Sequence, residues 1–197
     1  MPRKKSGKTA ARKFGETIER IEQFTDELHE LSLSKQALTW GYEAALLKTY
    51  VAFERLMLDC IVAAVNNDTG TISARTGIAF PKHLTDEVCE YLVTSGGYFD
   101  FKGRAGLIKV VRGYVPDGHW LLNAVKKTHY KDQLDILVAL RNFAAHESPA
   151  SKRTAIAAVG QQQIGSAGSW VKRQGRFRTM TKSLIKLADE IETGAPY

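Results

Sequence analysis

This chain has few cysteines, few prolines and no long apolar segment. Its 197 residues include two cysteines and five prolines. Two cysteines without a CxxC spacing favour neither a disulfide-stabilised fold nor a zinc ribbon. No apolar run approaches the roughly 20 residues of a membrane-spanning helix, and the charged N-terminus lacks the apolar core of a signal peptide. We therefore expect a cytoplasmic globular protein with no membrane partner and with two buried thiols, Cys60 and Cys89.

The net charge of +7 is concentrated in two segments. Residues 1–13 contain six cations and no acid. Eight more cations lie between Glu147 and Asp189, where no acidic residue occurs. Such an uneven distribution favours a polyanionic partner, and solubility is the alternative explanation.

Hydrophobic periodicity predicts helices and no strand pairs, so the expected fold class is all-α. Residues 1–14 are small, polar and cationic, and they predict a disordered basic tail. Residues 15–197 then form a single helical domain. Residues 66–128 are the least regular part of this domain, with several glycine and proline breakers.

Two helices carry the most informative patterns. Over residues 35–65, apolar residues such as Trp40, Val51 and Leu58 recur at intervals of three and four, a stripe typical of packed bundles. Glu54 interrupts this stripe. The second helix, residues 131–146, is apolar around most of its circumference, which predicts burial in a bundle or against another subunit.

Three polar residues lie at the end of this second helix. Residues 140–146 read Leu-Arg-Asn-Phe-Ala-Ala-His, so Arg141, Asn142 and His146 occur where the pattern asks for apolar side chains. Burying such groups costs several kcal/mol unless each finds a partner. Asn142 and His146 are four residues apart and can touch on a helix, and the carbonyl end of the helix dipole stabilises positive charge near His146.

These three side chains are sufficient for RNA cleavage without a metal. A histidine can accept or donate a proton near neutral pH. An arginine can neutralise the charge that develops on a phosphodiester in the transition state. Asn142 would fix the histidine or position the phosphate. Packing or helix capping is the alternative role for the arginine and the histidine.

The pattern Arg-Asn-x-x-x-His resembles the signature of the HEPN superfamily, most closely its RiboL-PSP and abortive-infection-type ribonuclease domains. The resemblance covers about residues 35–192, although its specific motif is six residues long. It implies an up-and-down helical bundle with an irregular insertion. It also implies a homodimer in which the Arg/His sets of both protomers line one cleft. Arg141, Asn142 and His146 would be the catalytic residues of a metal-independent endoribonuclease.

The same resemblance implies a toxin or antiviral-defence effector with RNA as substrate and an antitoxin or defence-system protein as partner. The products would carry a 2′,3′-cyclic phosphate and a 5′-hydroxyl. A non-catalytic HEPN-like module that binds a nucleotide or a nucleotidyltransferase-type partner is the strongest alternative. A basic helical DNA-binding protein, suggested by the net charge, is a third possibility.

Two further features are assigned supporting roles. Glu54 is predicted to pair with Arg141 across the bundle and to orient it; a glutamate facing water is the alternative. The segment 170–178 interleaves the aromatic residues Trp170 and Phe177 with cations, which suits stacking on bases and contact with phosphates. Its predicted RNA-binding residues are Trp170, Lys172, Arg173, Arg176 and Arg178. The alternative is that Trp170 and Phe177 are core residues and that the cations form a solvated face.

No cofactor or metal site is expected. The remaining histidines show no HExxH or Cys/His metal spacing. The glycine-rich segments lack the flanking strand and the lysine of a P-loop.

Overall fold

The computed structural model of the protein describes residues 4–197, and every regular element in this range is helical. The all-α prediction is confirmed: helix makes up 74% of the structure. No helix in the described range combines the length and the apolar character that crossing a membrane requires. The ten α-helices, in chain order, are α1 (Gly7–Glu30), α2 (Lys35–Asn67), α3 (Gly70–Thr76), α4 (Asp86–Thr94), α5 (Gly103–Arg112), α6 (Trp120–Lys126), α7 (Lys131–His146), α8 (Pro149–Val159), α9 (Ala167–Val171) and α10 (Arg176–Gly194).

Most helix starts follow capping signals in the sequence. The hydroxyl of Ser34 caps α2, that of Thr85 caps α4 and that of Ser148 caps α8, each by accepting a backbone N–H three residues later. Helix α7 spans the residues that its periodicity predicts. Helices α3 and α9 were not predicted, because seven and five residues are too few to show a helical period.

Helix α2 is at the centre of the core. It packs against α1, α4, α7 and α9, and α10 returns to pack against α1. Buried aromatic rings join these layers: Phe53 of α2 meets Phe14 of α1 edge-on with ring centroids 6.1 Å apart. Tyr50 of α2 stacks on Phe101 at 5.7 Å. One continuous core therefore joins the N-terminal hairpin to the segment that follows α4.

The chain becomes helical earlier than the sequence predicts. The disordered tail predicted for residues 1–14 is wrong for residues 7–14, which form the start of α1; residues 1–3 lie outside the described residues. Ser6 caps this helix by accepting the N–H of Thr9 at 3.2 Å. Ala10 and Phe14 are buried. Tertiary packing of these two residues stabilises a segment whose own composition would leave it unfolded.

Lys5 holds the segment before α1 against α2 and α4. Its ammonium lies 2.8 Å from a carboxylate oxygen of Asp59 and 2.6 Å from one of Glu90. Its backbone N–H donates to Asp86 at 2.8 Å. A cation of the predicted polyanion-binding tail thus has acidic partners within the protein.

The apolar stripe of α2 predicted to face the core is buried only in its second half. Leu58 is buried, but Trp40 is 62% and Val51 58% exposed. In the first half of α2 the core face instead carries Tyr42, Leu46 and Tyr50. Apolar residues occur on several faces of this helix, and periodicity alone cannot select the face that another helix will cover.

The irregular segment predicted for residues 66–128 contains four short helices, α3 to α6, and the loops between them. Helix α4 packs on α2, and α5 packs on α7. The loop between α4 and α5 includes Phe99 and Asp100, and the buried Phe101 anchors it to α2. This anchoring brings the loop to the face of α2 that also receives α7.

Both cysteines are free and buried, as the sequence predicts. Burial raises the pKa of Cys89 to about 11 and also raises that of Cys60. Neither thiol is readily ionised, so neither is suited to nucleophilic chemistry near neutral pH.

Replacing Phe14 by alanine tests whether the start of α1 belongs to the folded core. We expect Phe14→Ala to lower the free energy of unfolding by about 3–5 kcal/mol, because a buried ring is replaced by a cavity. Chemical denaturation followed by circular dichroism measures this loss. The neighbouring exposed Lys13→Ala is the control and should change stability by less than about 0.5 kcal/mol. Equal effects of the two substitutions would contradict the assignment.

Candidate functional site

Helix α7 holds the three candidate catalytic residues at its C-terminal end. Leu137, Leu140 and Phe143 bury one side of the helix. The helix ends at Glu147, which has a positive φ of 45° and donates its N–H to the carbonyl of Phe143 at 2.9 Å. His146 is therefore in the last helical turn, and its side chain is exposed. No hydrogen bond to this imidazole occurs within the described residues.

The guanidinium of Arg141 is held on two sides. One nitrogen, Nη1, donates to the side-chain oxygen of Asn142 at 2.9 Å. The guanidinium carbon lies 4.6 Å from the centre of the Tyr50 ring, a cation–π contact. A guanidinium has five N–H donors in a fixed plane, and within residues 4–197 this one uses a single donor. The remaining donors are available to an anionic ligand.

Asn142 lies between the arginine and the histidine. Its side-chain oxygen accepts a hydrogen bond from Arg141. In the described part of the chain, no hydrogen bond joins Asn142 to His146. Residues four apart on a helix are on the same face and about 6 Å apart along its axis. The structure therefore joins Arg141 to Asn142 directly and places His146 one turn further on.

Arg141 also lines a cleft of about 440 Å³ between α2, α7 and the loop after α4. Glu54 and Leu58 of α2 and Phe99 and Asp100 of the loop line the same cleft. His146 is not among its lining residues. The predicted catalytic set is thus divided between the cleft, which holds Arg141, and the open end of α7, which holds His146.

Glu54 shares the cleft with Arg141, but within residues 4–197 no ion pair of 4 Å or less joins them. Burial raises the pKa of Glu54; the Tyr50 hydroxyl and the charge of Arg141 oppose this shift, and the nearby carboxylate of Asp100 adds to it. Arg141 therefore acts on Glu54 through its electric field, while its direct contacts are with Tyr50 and Asn142.

Tyr50 and Asp100 are site residues that the sequence analysis did not identify. The Tyr50 hydroxyl donates to Asp100 at 3.3 Å. Burial, together with the nearby carboxylates, raises the pKa of Tyr50 well above its ordinary value. Tyr50 lies four residues before Glu54 on α2, and this spacing was a usable signal. Asp100 is on the loop between α4 and α5, where no periodicity or motif in the sequence identifies it as a site residue.

The predicted RNA-binding segment is largely engaged in contacts within the protein. The guanidinium of Arg178 pairs with Glu22 of α1 at 2.6 Å and with Asp26. The ammonium of Lys172 donates to the Lys35 carbonyl and to the Thr39 hydroxyl at the start of α2. These two cations therefore join α10 and α9 to the N-terminal hairpin.

Trp170 and Arg176 contact each other. The Arg176 guanidinium lies over the half-buried indole at 4.6 Å and donates to the Trp170 carbonyl. Of the predicted segment, Arg173 is exposed, and the described residues provide it with no ion pair. The cation of this segment most available to an external polyanion is thus Arg173.

Gly168 explains how this segment reaches α2. A Cβ atom at position 168 would lie 2.2 Å from the Thr39 carbonyl oxygen, so only glycine permits this approach. The Gly168 N–H donates to the Glu43 carboxylate at 3.1 Å. The close contact fixes the position of Trp170 and Lys172 relative to α2.

No protein-family model, curated protein or solved structure matches this chain. The HEPN resemblance therefore rests on residues 141–146 and their setting alone. Among residues 4–197, no group of three or more histidine, cysteine or acidic side chains is placed to hold a metal ion.

Substitution of Glu54 tests the electrostatics of the cleft. Because the folded protein binds the Glu54 proton more tightly than the unfolded chain does, the contribution of Glu54 to the free energy of unfolding should fall as pH rises from the ordinary carboxyl range through the raised pKa. Glu54→Gln removes this carboxyl and its contribution, so the stability of the variant relative to wild type should increase as pH rises over the same interval. Urea denaturation at a series of pH values measures it. The exposed Glu19→Gln is the control and should keep the wild-type pH dependence; equal slopes for wild type and Glu54→Gln would contradict the assignment.

Proposed function

We propose that this protein is a metal-independent endoribonuclease whose catalytic residues are Arg141, Asn142 and His146. The observation that carries the proposal is the state of the Arg141 guanidinium. It is oriented by Asn142 and Tyr50, and most of its donors remain open beside the exposed histidine of the same helix end. A fixed guanidinium with open donors suits a phosphodiester, because it needs little reorganisation when charge develops.

In the proposed reaction the ribose 2′-oxygen attacks phosphorus and the P–O5′ bond breaks. The 2′-hydroxyl proton passes to a base, and the departing 5′-oxygen receives a proton from an acid. The products are a 2′,3′-cyclic phosphate and a 5′-hydroxyl. Arg141 would neutralise the phosphorane oxygens, Asn142 would hold Arg141 in place, and His146 would transfer a proton.

A second copy of the chain would supply the second proton-transfer group. One histidine cannot serve as base and acid in the same step. A two-fold axis beside the end of α7 would place His146 of each protomer across a shared cleft. The exposure of His146 in the single chain is compatible with such an arrangement.

The cleft electrostatics restrict where the phosphate would bind. Glu54 and Asp100 line the cleft beside Arg141 and would repel an anion there. The phosphate would therefore approach the guanidinium from the side of Asn142 and His146. Arg173, which does not line this cleft, would contact another phosphate of the same RNA.

A non-catalytic nucleotide-binding module is the second candidate. Tyr98 is 98% exposed and lines the cleft that contains Arg141. A free aromatic ring can stack on a base while a guanidinium holds a phosphate. In this case the cleft would recognise a nucleotide and His146 would have no chemical role.

The proposed setting is the cytoplasm, where the protein would act as a toxin or antiviral-defence effector. An antitoxin or another defence-system protein would control it. In the alternative, a nucleotidyltransferase-type protein would be the partner. Both settings follow from the HEPN resemblance.

Substitution of His146 is the first test of the ribonuclease proposal. With RNA and EDTA, wild type should release fragments with 2′,3′-cyclic phosphate ends. His146→Ala should lower the cleavage rate by about 10²–10⁴-fold, because it removes a general acid–base group. Gel electrophoresis and end-group analysis measure both effects. His129→Ala is the matched control: it removes another exposed histidine, just before α7, and should cleave as wild type does.

The outcomes separate the candidate functions. Equal cleavage by wild type and His146→Ala, with both proteins folded, would remove His146 from the mechanism. Failure of wild type to cleave, combined with saturable nucleotide binding that Tyr98→Ala abolishes, would favour the binding module.

Protein concentration tests the shared site. If two protomers complete one site, the cleavage rate per protein molecule should rise with concentration until the dimer is saturated. Sedimentation velocity over the same range should show the monomer–dimer transition at the same midpoint. A constant specific rate across a range where the protein is monomeric would contradict the composite site.

A further inference from the structure

An open groove of about 540 Å³ lies between α1 and α2, and no residue of α10 lines it in the described part of the chain. Apolar atoms form its floor, contributed on α1 by Phe14 and Ile21 and on α2 by Ala45, Ala52 and Leu56. Phe24 and Val51 line it while 40% and 58% exposed. Apolar side chains this exposed in one continuous groove mark an interaction surface.

The spacing of the groove residues on α1 is that of a coiled coil. Positions 10, 14, 17, 21 and 24 line the groove and alternate in steps of four and three. This is the pattern of a and d positions in a heptad repeat. The small residues Ala45 and Ala52 are one heptad apart on α2 and leave room for a third helix to approach. The groove thus has the shape of a bundle from which one helix is missing.

Cations border the groove on both sides with the same period. Lys13 and Arg20 are seven residues apart on α1, and Lys48 and Arg55 are seven apart on α2. Such positions correspond to the e and g sites that select a partner by charge. Arg55 already pairs with Asp59 at 3.1 Å. The other three cations have no ion pair within residues 4–197, and all three are exposed.

We propose that this groove binds an amphipathic α-helix of a partner protein, with leucine- or isoleucine-type residues on one face and glutamate or aspartate on both flanks of that face. Residues 10–24 of α1 span about 21 Å, so a helix of about four turns would fill the groove. The proposal does not depend on ribonuclease activity. Among residues 4–197, Val51 and Arg55 are the two that line both this groove and the Arg141 cleft.

Charge and polarity favour this occupant over the alternatives. A second copy of the chain, docked groove to groove about a two-fold axis, would bring Lys13, Arg20 and Lys48 against identical cations. An RNA strand would satisfy the cations but would leave the apolar floor of the groove without a matching surface. An acidic amphipathic helix complements both the floor and the rim.

A displayed library of helical peptides tests the proposal. Each peptide is three heptads long, varies among Leu, Ile, Val and Ala at a and d, and varies among Glu, Gln and Lys at e and g. Selection against wild type should enrich Glu at e and g. Selection against Lys13→Glu/Lys48→Glu should enrich Lys instead, and the best wild-type peptide should bind this variant about tenfold or more weakly.

Lys152→Glu/Arg153→Glu is the matched control, since it makes the same change of charge on exposed residues of α8, away from the groove. It should select the same acidic peptides as wild type, with unchanged affinity. Fluorescence anisotropy of the labelled peptide gives the affinities, and circular dichroism verifies that all three proteins are equally helical.

Several results would overturn the proposal. The first is that no peptide from the library binds wild type saturably. The second is that the enriched peptides show no preference for Glu at e and g. The third is that Lys13→Glu/Lys48→Glu selects the same charges as wild type. A wild-type dimer that Lys13→Glu/Lys48→Glu dissociates would assign the groove to a second copy. RNA binding that only the groove variant loses, with no peptide selected, would assign it to nucleic acid.

Discussion

The packing of α7 against α2 is the constraint on which the candidate site depends. The rotation of α7 about its axis is fixed by the burial of Leu137, Leu140 and Phe143. With this rotation Arg141 is partly exposed at the edge of the apolar core. Its guanidinium lies over the ring of Tyr50 and binds the amide of Asn142. A cation that would be costly in a core is stabilised by a π face and a hydrogen bond, and it keeps donors for a ligand.

The same packing gives the two sides of Arg141 different characters. On the side of the cleft, the Tyr50 hydroxyl, the half-buried Glu54 and the exposed Asp100 lie near Arg141, and the pKa values of Tyr50 and Glu54 are raised. On the other side, α7 ends and His146 is exposed. An anion bound to Arg141 would therefore meet less repulsion towards the end of α7 than beside the two carboxyl groups.

The distribution of cations shows how tertiary structure changes the meaning of a charge pattern. Lys5, Lys172 and Arg178 belong to the two basic segments that favoured a polyanion partner. In the folded chain Lys5 and Arg178 pair with carboxylates and Lys172 binds oxygens at the start of α2. Three cations without an ion pair in the described range, Lys13, Arg20 and Lys48, are spaced along the α1–α2 groove, and Arg173 remains exposed in the second basic segment. A polyanion was a reasonable inference from net charge, but net charge does not specify which cations remain free.

The sequence alone predicted the all-α fold class and the extent of α7, because hydrophobic periodicity depends on residues within a few positions of one another. It also identified Arg141, Asn142, His146 and Glu54 as polar residues in apolar surroundings. Tertiary packing determines which face of α2 is buried, stabilises the helical residues 7–14 and brings Tyr50 and Asp100 into the site. Those outcomes depend on contacts between residues far apart in the chain, such as Tyr50 with Arg141 and with Asp100, and no local period or cap encodes which distant surfaces will meet.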